Sequence, residues 1–273
     1  MEQQLASPAR PASVYDSNPF SLVMPAWEAF KLAWKPLVML LLMIVGLVVA
    51  AGLVVVVMAK IMPLVGLVLS AAVVVAAIIG AMYVAWMNIA IMLAAIRGRR
   101  LELSEARPAG WVQPVKLFLT ALLVGLTIVG GLILLIVPGI IFAVWFSYSL
   151  YVAVEDNVFG AAAMKRSLHI VKGHFWEVAA ANALVGLVNM LYFIPFLGGL
   201  VILAVTTVLM PVPLVRYIQL KALPAGSRAE THPANYIVVI VAIIVNVMVN
   251  QARLHDLQSR LAAQELEKSS QAY

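Results

Sequence analysis

Glu177 and Arg216 are ionisable residues set inside apolar stretches, the first just within residues 175–194 and the second within 200–220. An intramembrane charge is costly, so a carboxylate or guanidinium at such a position points to a buried partner, a substrate path or an ion path. Asn182 and Asn189 are seven residues apart and share one helical face with their amides. Together Glu177, Asn182, Asn189 and Arg216 form a candidate polar path between helices. The competing reading is structural: amides bond across helices and add packing energy, and an arginine near a span end snorkels to the headgroups. Glu155 and Asp156 are adjacent carboxylates, and neighbours on a helix point about 100° apart, so they make no acid/base dyad. Capping the next helix or pairing with Lys165 or Arg166 is their expected use. His169, His174, His232 and His255 fall into no metal-ligand spacing, and no catalytic serine, phosphate-loop or dinucleotide fingerprint occurs. No catalytic residue, metal or cofactor is expected.

The elements that must position these residues are membrane helices. Apolar residues make up 64% of the chain and charged residues 11%, with a mean hydropathy of +1.04, too much apolar surface for a soluble fold of this size to hide. The stretch Leu117–Val154 carries no charge. As a single helix it would be about 57 Å long, against roughly 30 Å of hydrocarbon. It must fold back, and Pro138 with Gly139 is the expected turn. Cysteine is absent, which excludes disulfides and thiolate chemistry. The net charge is +6 and the pI about 9.7, but no basic patch is interleaved with aromatics in a soluble module, so nucleic acid is not an expected partner.

The pattern predicts an all-α polytopic bundle of six spans plus a seventh short apolar helix. Residues 1–17 read as a disordered tail and 18–250 as the transmembrane domain. An interfacial helix is expected over 20–35, with Leu22, Ala26, Ala29, Phe30 and Ala33 on one face and Glu28, Lys31 and Lys35 elsewhere. Spans follow at about 37–59, 64–86, 117–136, 140–154, 175–194 and 200–220, the sixth kinked at Pro211 and Pro213. Beyond Trp86 and Asn88, which fall at the expected interfacial belt, the second helix continues as an apolar shoulder to Ile96. The last run, 236–249, is short for a crossing at about 21 Å. The first 19 residues lack an apolar signal core, so the first span is expected to act as its own insertion signal.

With the N-terminus cytoplasmic, the inner segments would hold Arg10, Lys31, Lys35, Arg97, Arg99, Arg100, Arg107, Lys116, Lys165, Arg166, Lys172, Arg216, Lys221 and Arg228, against Lys60 outside. The positive-inside rule selects that orientation. A second surface helix is expected where Ala161, Met164, Leu168 and Val171 oppose Lys165, Arg166 and Lys172. Sliding the chain onto itself lays residues 26–38 over 163–175, each an amphipathic segment ending at a lysine, Lys35 or Lys172, before a helix breaker. A third copy falls near Lys116. Either true repetition or shared physical demand accounts for it. The expected partners are membrane lipids, their anionic headgroups meeting Trp34, Lys35, Lys116, Lys165, Arg166 and Lys172 at the cytoplasmic face. The amphipathic tail, residues 251–273, continues a seven-residue seam of Ile240, Ile243, Val247, Asn250, Leu254, Leu257 and Leu261. Two chains could zip along it, or it could pack on the bundle or lie on lipid.

The run "VPGIIFAVWFSYSLYVAVEDNVFGAAAMKRSLHIVKGHFW" resembles a signature of a broad, poorly characterised group of bacterial multi-pass membrane proteins, which includes the membrane domain attached to some glycerophosphodiester phosphodiesterases. There a Pro-Gly turn opens a span, an acidic residue closes it, and an Ala-x-x-x-Ser helix ends at Lys-Gly before an aromatic residue. The matching residues are Pro138, Gly139, Glu155, Ala163, Ser167, Lys172, Gly173 and Phe175. The resemblance covers 137–176 and implies a membrane module in the bacterial inner membrane. It does not imply hydrolysis, which in those enzymes belongs to a separate soluble barrel for which this chain has no segment. The expected function is therefore a non-enzymatic membrane protein that organises lipid or a partner protein, with a small transporter or channel as the alternative. A lipid-modifying enzyme would need convergent carboxylates or histidines at the interface.

Overall fold

The structure is a computed structural model that describes residues 15–61, 63–190, 209, 211–224 and 231–271. Every regular element among them is helical. A 3₁₀ turn, Pro19–Leu22, leads into α1 (Val23–Ile61) and α2 (Pro63–Ile96), which pack along each other. They are followed by α3 (Val112–Leu134), α4 (Ile136–Trp145), α5 (Ser149–Asp156), α6 (Ala161–Val171), α7 (Phe175–Met190), α8 (Val212–Lys221) and α9 (Pro233–Gln271).

Among the described residues four helical stretches are long and apolar enough to cross a bilayer: Val68–Ile96, Val112–Leu134, Val137–Asp156 and Pro233–His255. This is the architecture of a membrane-embedded protein. The expected count was six and a seventh. Phe175–Leu187 is a shorter apolar helix, and its Val178 to Ala181 are buried in protein. Of the sixth expected span, residues 200–208 and 210 lie outside the described residues, and α8 is enclosed in protein from Val212 to Tyr217. The last run is longer than its apolar residues suggested: Pro233–Asn235 and Asn250–His255 stay helical on either side, giving 23 residues.

Residues 20–35 do not form a separate interfacial helix. The helix runs on through Pro36, which sits inside α1, and the apolar stripe Leu22, Ala26, Ala29 and Ala33 is 0–2% exposed. Leu22 and Ala26 pack with Ala181 of α7 and Val212 and Val215 of α8, and Ala29 and Ala33 enter the main core, so protein rather than lipid covers the stripe. Small residues at three- and four-residue spacing serve a close helix contact as well as a lipid face, and here protein occupies it. The shoulder of α2 is likewise a core element: Trp86 is 1% exposed and stacks on Phe159 at 6.3 Å instead of marking an interface, and Ala90 to Ala95 are all buried. The internal resemblance also divides. Lys35 is followed by a proline that α1 absorbs, whereas Lys172 leaves the helix with ψ 118° and Gly173 takes φ +95°. The third surface helix is absent, because residues 97–111 are turns and loop and Lys116 already belongs to α3. The seam on α9 is uncovered at Ile240, Ile243, Val247, Leu254 and Leu261.

The reversal in the 117–154 stretch comes at Leu135, whose extended backbone (φ −160°, ψ 140°) separates α3 from α4. Pro138 and Gly139 lie in the first turn of α4 instead of making the turn. Proline is tolerated there because a first-turn N–H has no helical partner. Gly139 has a different task. A Cβ on it would stand 2.4 Å from the Leu132 side chain and 2.7 Å from the Leu132 nitrogen, and a Cβ on Gly131 would stand 3.0 Å from the Gly139 Cα. The missing side chains let α3 and α4 touch backbone to backbone. Gly139→Ala is expected to lower stability by about 1–3 kcal/mol through overpacking. Gly125→Ala, where a Cβ meets open space, should leave the thermal unfolding midpoint in detergent unchanged or slightly raised.

Candidate functional site

Arg216 is fully buried on α8. Its guanidinium donates to the Asp16 carbonyl at 2.6 Å, the Asn18 carbonyl at 3.2 Å and Gln219 Oε1 at 3.2 Å, and the Tyr15 ring lies 5.6 Å from its Cζ. It does not snorkel. The Tyr15 hydroxyl donates to Glu177 Oε2, and His174 Nδ1 lies 3.2 Å from the same oxygen. Glu177 is itself fully buried in the first turn of α7, where the helix dipole favours a carboxylate. Tyr15 thus stands between the acid and the guanidinium. Burial and the Glu177 hydrogen bond push the Tyr15 phenol well above its ordinary range. Glu177 Oε1 and Arg216 Nε are buried with no hydrogen-bond partner among the described residues.

This cluster changes two sequence readings. The tail was expected to run through residue 17, yet residues 15–17 are ordered: Tyr15 reaches His174 and Glu177, and the Ser17 carbonyl accepts from Asn235 Nδ2 at 2.7 Å on α9. The available signal was "DSNPF", in which Asn18 accepts from the Phe20 N–H at 3.0 Å and starts the 3₁₀ turn. The cluster also holds two of the four polar-path candidates. Glu177 and Arg216 enter one closed cluster, Asn182 is half-buried further along α7, and the Asn189 side chain lies outside the described residues.

A second polar network closes the neighbouring corner. Glu155 binds Arg97, accepts from the Tyr217 hydroxyl at 2.6 Å and pairs with Lys221 at 3.1 Å. Asp156 pairs with Lys221 at 2.6 Å and Arg166 at 3.1 Å. Two carboxylates at the C-terminal end of α5 oppose its dipole, and three cations from other elements compensate them. Asn157 ends the helix in the left-handed region at φ +54°. The expected Asp156–Arg166 pair is present, while Glu155 faces α2 and α8 rather than α6.

Ser167 has a role its motif position did not disclose. The helix breaks between Trp145 and Ser149. There the Ser167 hydroxyl donates to the Trp145 carbonyl at 2.7 Å and accepts from the Tyr148 N–H at 3.2 Å. One side chain on α6 supplies both partners that the break removes.

Two cavities lie beside the middle of α1, one against the second half of α2 and the other against the loop that follows α2. One, about 810 Å³, is lined by Leu40, Met43, Gly80, Val84, Met87 and neighbouring residues. The other, about 620 Å³, is ringed by Lys31, Trp34, Lys35, Arg100, Ser104 and Arg107, with Glu102 the one carboxylate. Leu103 and Arg107 line both. Of the expected headgroup contacts, Trp34 and Lys35 belong to this second cavity. Lys116 stands 5.6 Å from the Phe159 ring, Arg166 is paired, and Lys165 and Lys172 are exposed on and just after α6. Lys31, Arg100 and Arg107 went unsingled as headgroup contacts because α1 and the loop after α2 are distant in sequence. Among the described residues no group of three or more His, Asp or Glu side chains is placed to hold a metal. Compared with family models, with curated proteins and with solved structures, the chain matches none.

Two consequences can be measured. The tie between Tyr15 and Glu177 stabilises the neutral phenol, so its contribution is whole below about pH 10 and is lost progressively above it. The protection factors of residues 15–22, which correct exchange for its intrinsic rise with pH, should fall above that pH in the native protein, and Tyr15→Phe should abolish the fall. Ser167→Ala should cost about 1–3 kcal/mol, because it leaves a buried N–H and carbonyl unpaired, read as a lower unfolding midpoint in detergent.

Proposed function

We propose that this chain is a non-enzymatic integral membrane protein that organises lipid, or a partner protein, at its basic face. By the resemblance of residues 137–176 the membrane is a bacterial inner membrane, and by the positive-inside rule the basic face and N-terminus are cytoplasmic. The helix that carries it beyond the four long apolar ones is the second half of α1, exposed along Leu41, Leu42, Val45, Val49 and Leu53. The exposed seam of α9 is the surface for a second copy.

The observation that carries this reading is the ring of Lys31, Lys35, Arg100 and Arg107 around one cavity. Its Trp34 is 44% exposed beside Lys35, 5.8 Å from ring centroid to ammonium. It lies where α1 passes from its charged half to its apolar half, the depth at which anionic headgroups meet a protein surface. Among the described residues none of these four cations has an ion-pair partner, so their field is available to a ligand. The buried acid and arginine that would line a transport path are instead engaged with each other's neighbours, which supports an organising role over flux.

The test is lipid preference in nanodiscs. Lys31→Gln with Lys35→Gln should reduce the enrichment of phosphatidylglycerol over phosphatidylcholine around the protein several-fold, with the native preference weakening at high salt. Proteoliposomes should show no solute or ion flux. Unchanged enrichment in the double variant, or flux that disappears on Asn189→Leu, would reject the proposal in favour of transport.

A further inference from the structure

The basic ring and the apolar cavity lie side by side. We propose that the two form a single site for one anionic glycerophospholipid, its phosphate held by Lys31, Lys35, Arg100 and Arg107 and an acyl chain lying between α1 and α2. This rests on the organising reading above and deepens it, from a face that attracts lipid to a pocket that holds one molecule.

Three observations converge. The cavities are continuous in their lining, since Leu103 and Arg107 face both. Their chemistry is divided as a phospholipid's is: cations, an indole and a hydroxyl around the outer one, and Leu40, Met43, Gly80, Val84 and Met87 around the inner one. Each volume, about 620 and 810 Å³, falls in the range of small-molecule sites, roughly 300–1,000 Å³. A free phosphate would use only the outer cavity. A neutral lipid would leave four cations facing Glu102 alone. An anionic lipid matches both halves, and arginine's planar donor fork suits a phosphate in particular. Met43, 56% exposed, puts the inner cavity's rim toward the surrounding lipid, which gives an acyl chain lateral entry. Two tyrosines, Tyr83 and Tyr151, and Asn88 also border it, placing polar groups where the ester region of a seated lipid would pass.

Gly80 allows a clean test, because a Cβ there meets nothing within 4 Å. Gly80→Phe adds a ring at the wall of the apolar cavity from a Cβ that meets no neighbouring atom. The full-length protein is purified in mild detergent and mixed with long-chain phosphatidylglycerol, dihexanoyl phosphatidylglycerol, phosphatidylcholine or inorganic phosphate, and bound species are counted by native mass spectrometry. The expected result is one long-chain phosphatidylglycerol per protein, at least tenfold weaker binding of the dihexanoyl form and of phosphatidylcholine, and no retained phosphate. Gly80→Phe should weaken the long-chain lipid about tenfold while its unfolding midpoint stays near the native value. Arg100→Gln with Arg107→Gln should instead erase the headgroup preference. Should Gly80→Phe fail to fold, the native chain decides the matter: phosphatidylglycerol carrying a photoreactive acyl chain should label Met43, Val84 or Met87. Labelling spread evenly over Val49, Val68 and Val74 overturns the site. If chain length and Gly80→Phe make no difference while the arginine variants still lose their preference, the single-lipid site falls and the organising surface stands. If the arginine variants bind as the native protein does, both fall.

Discussion

A buried guanidinium has to find acceptors, and Arg216 finds them at the opposite end of the sequence. Its donors go to the carbonyls of Asp16 and Asn18, with Gln219 the one acceptor from its own helix. An isolated charge in an apolar interior is among the costliest things a fold can contain. The segment before α1 is therefore held against α8 by electrostatics, and Tyr15, lying between Arg216 and Glu177, brings α7 into the same unit. The position of α1 follows, since Leu22 and Ala26 can then close on α7 and α8 while Ala29 and Ala33 enter the main core. The placement of Lys31 and Lys35 beside Arg100 and Arg107 depends on that closure.

The fold uses one economy repeatedly: a break in helical hydrogen bonding is repaired by a side chain from another element. Ser167 does so between α4 and α5, whereas ahead of α1 the repair is local, Asn18 accepting from the Phe20 N–H. Thr120 bridges α3 to the turn before α6, donating to the Lys116 carbonyl and accepting from the Gly160 N–H, each at 2.7 Å. In a membrane-embedded chain an unsatisfied backbone group is more costly than in water, so each repair also fixes which elements are neighbours. The ion network of Arg97, Glu155, Asp156, Arg166 and Lys221 has the same effect at the corner where α2, α5, α6 and α8 meet.

Much of the site was visible in outline. Glu177 and Arg216 stood out because charge in an apolar stretch has few harmless explanations, and both prove to be buried in one cluster. Their partners did not stand out. Tyr15 lay in a stretch too polar to look ordered, and His174 lacked any ligand spacing. The basic ring was half legible: Trp34 and Lys35 followed from amphipathic patterning, while Arg100 and Arg107 lie in a loop whose path no periodicity encodes. The amphipathic pattern over 20–35 was real but ambiguous, since an apolar stripe shows that a face avoids water without showing whether lipid or protein covers it.

Composition alone determined that this chain is helical and built for a bilayer, because so few charges cannot surround so much apolar surface in water. The run from Leu117 to Val154 had to reverse for reasons of length, whatever its details. Only the tertiary structure decided where. The chain turns at Leu135, and the glycine that looked like a hinge is instead the point where two helices touch. Length and hydropathy are sums over residues and can be read in order along a chain. Contact is a relation between residues far apart, and it exists only once the helices have packed.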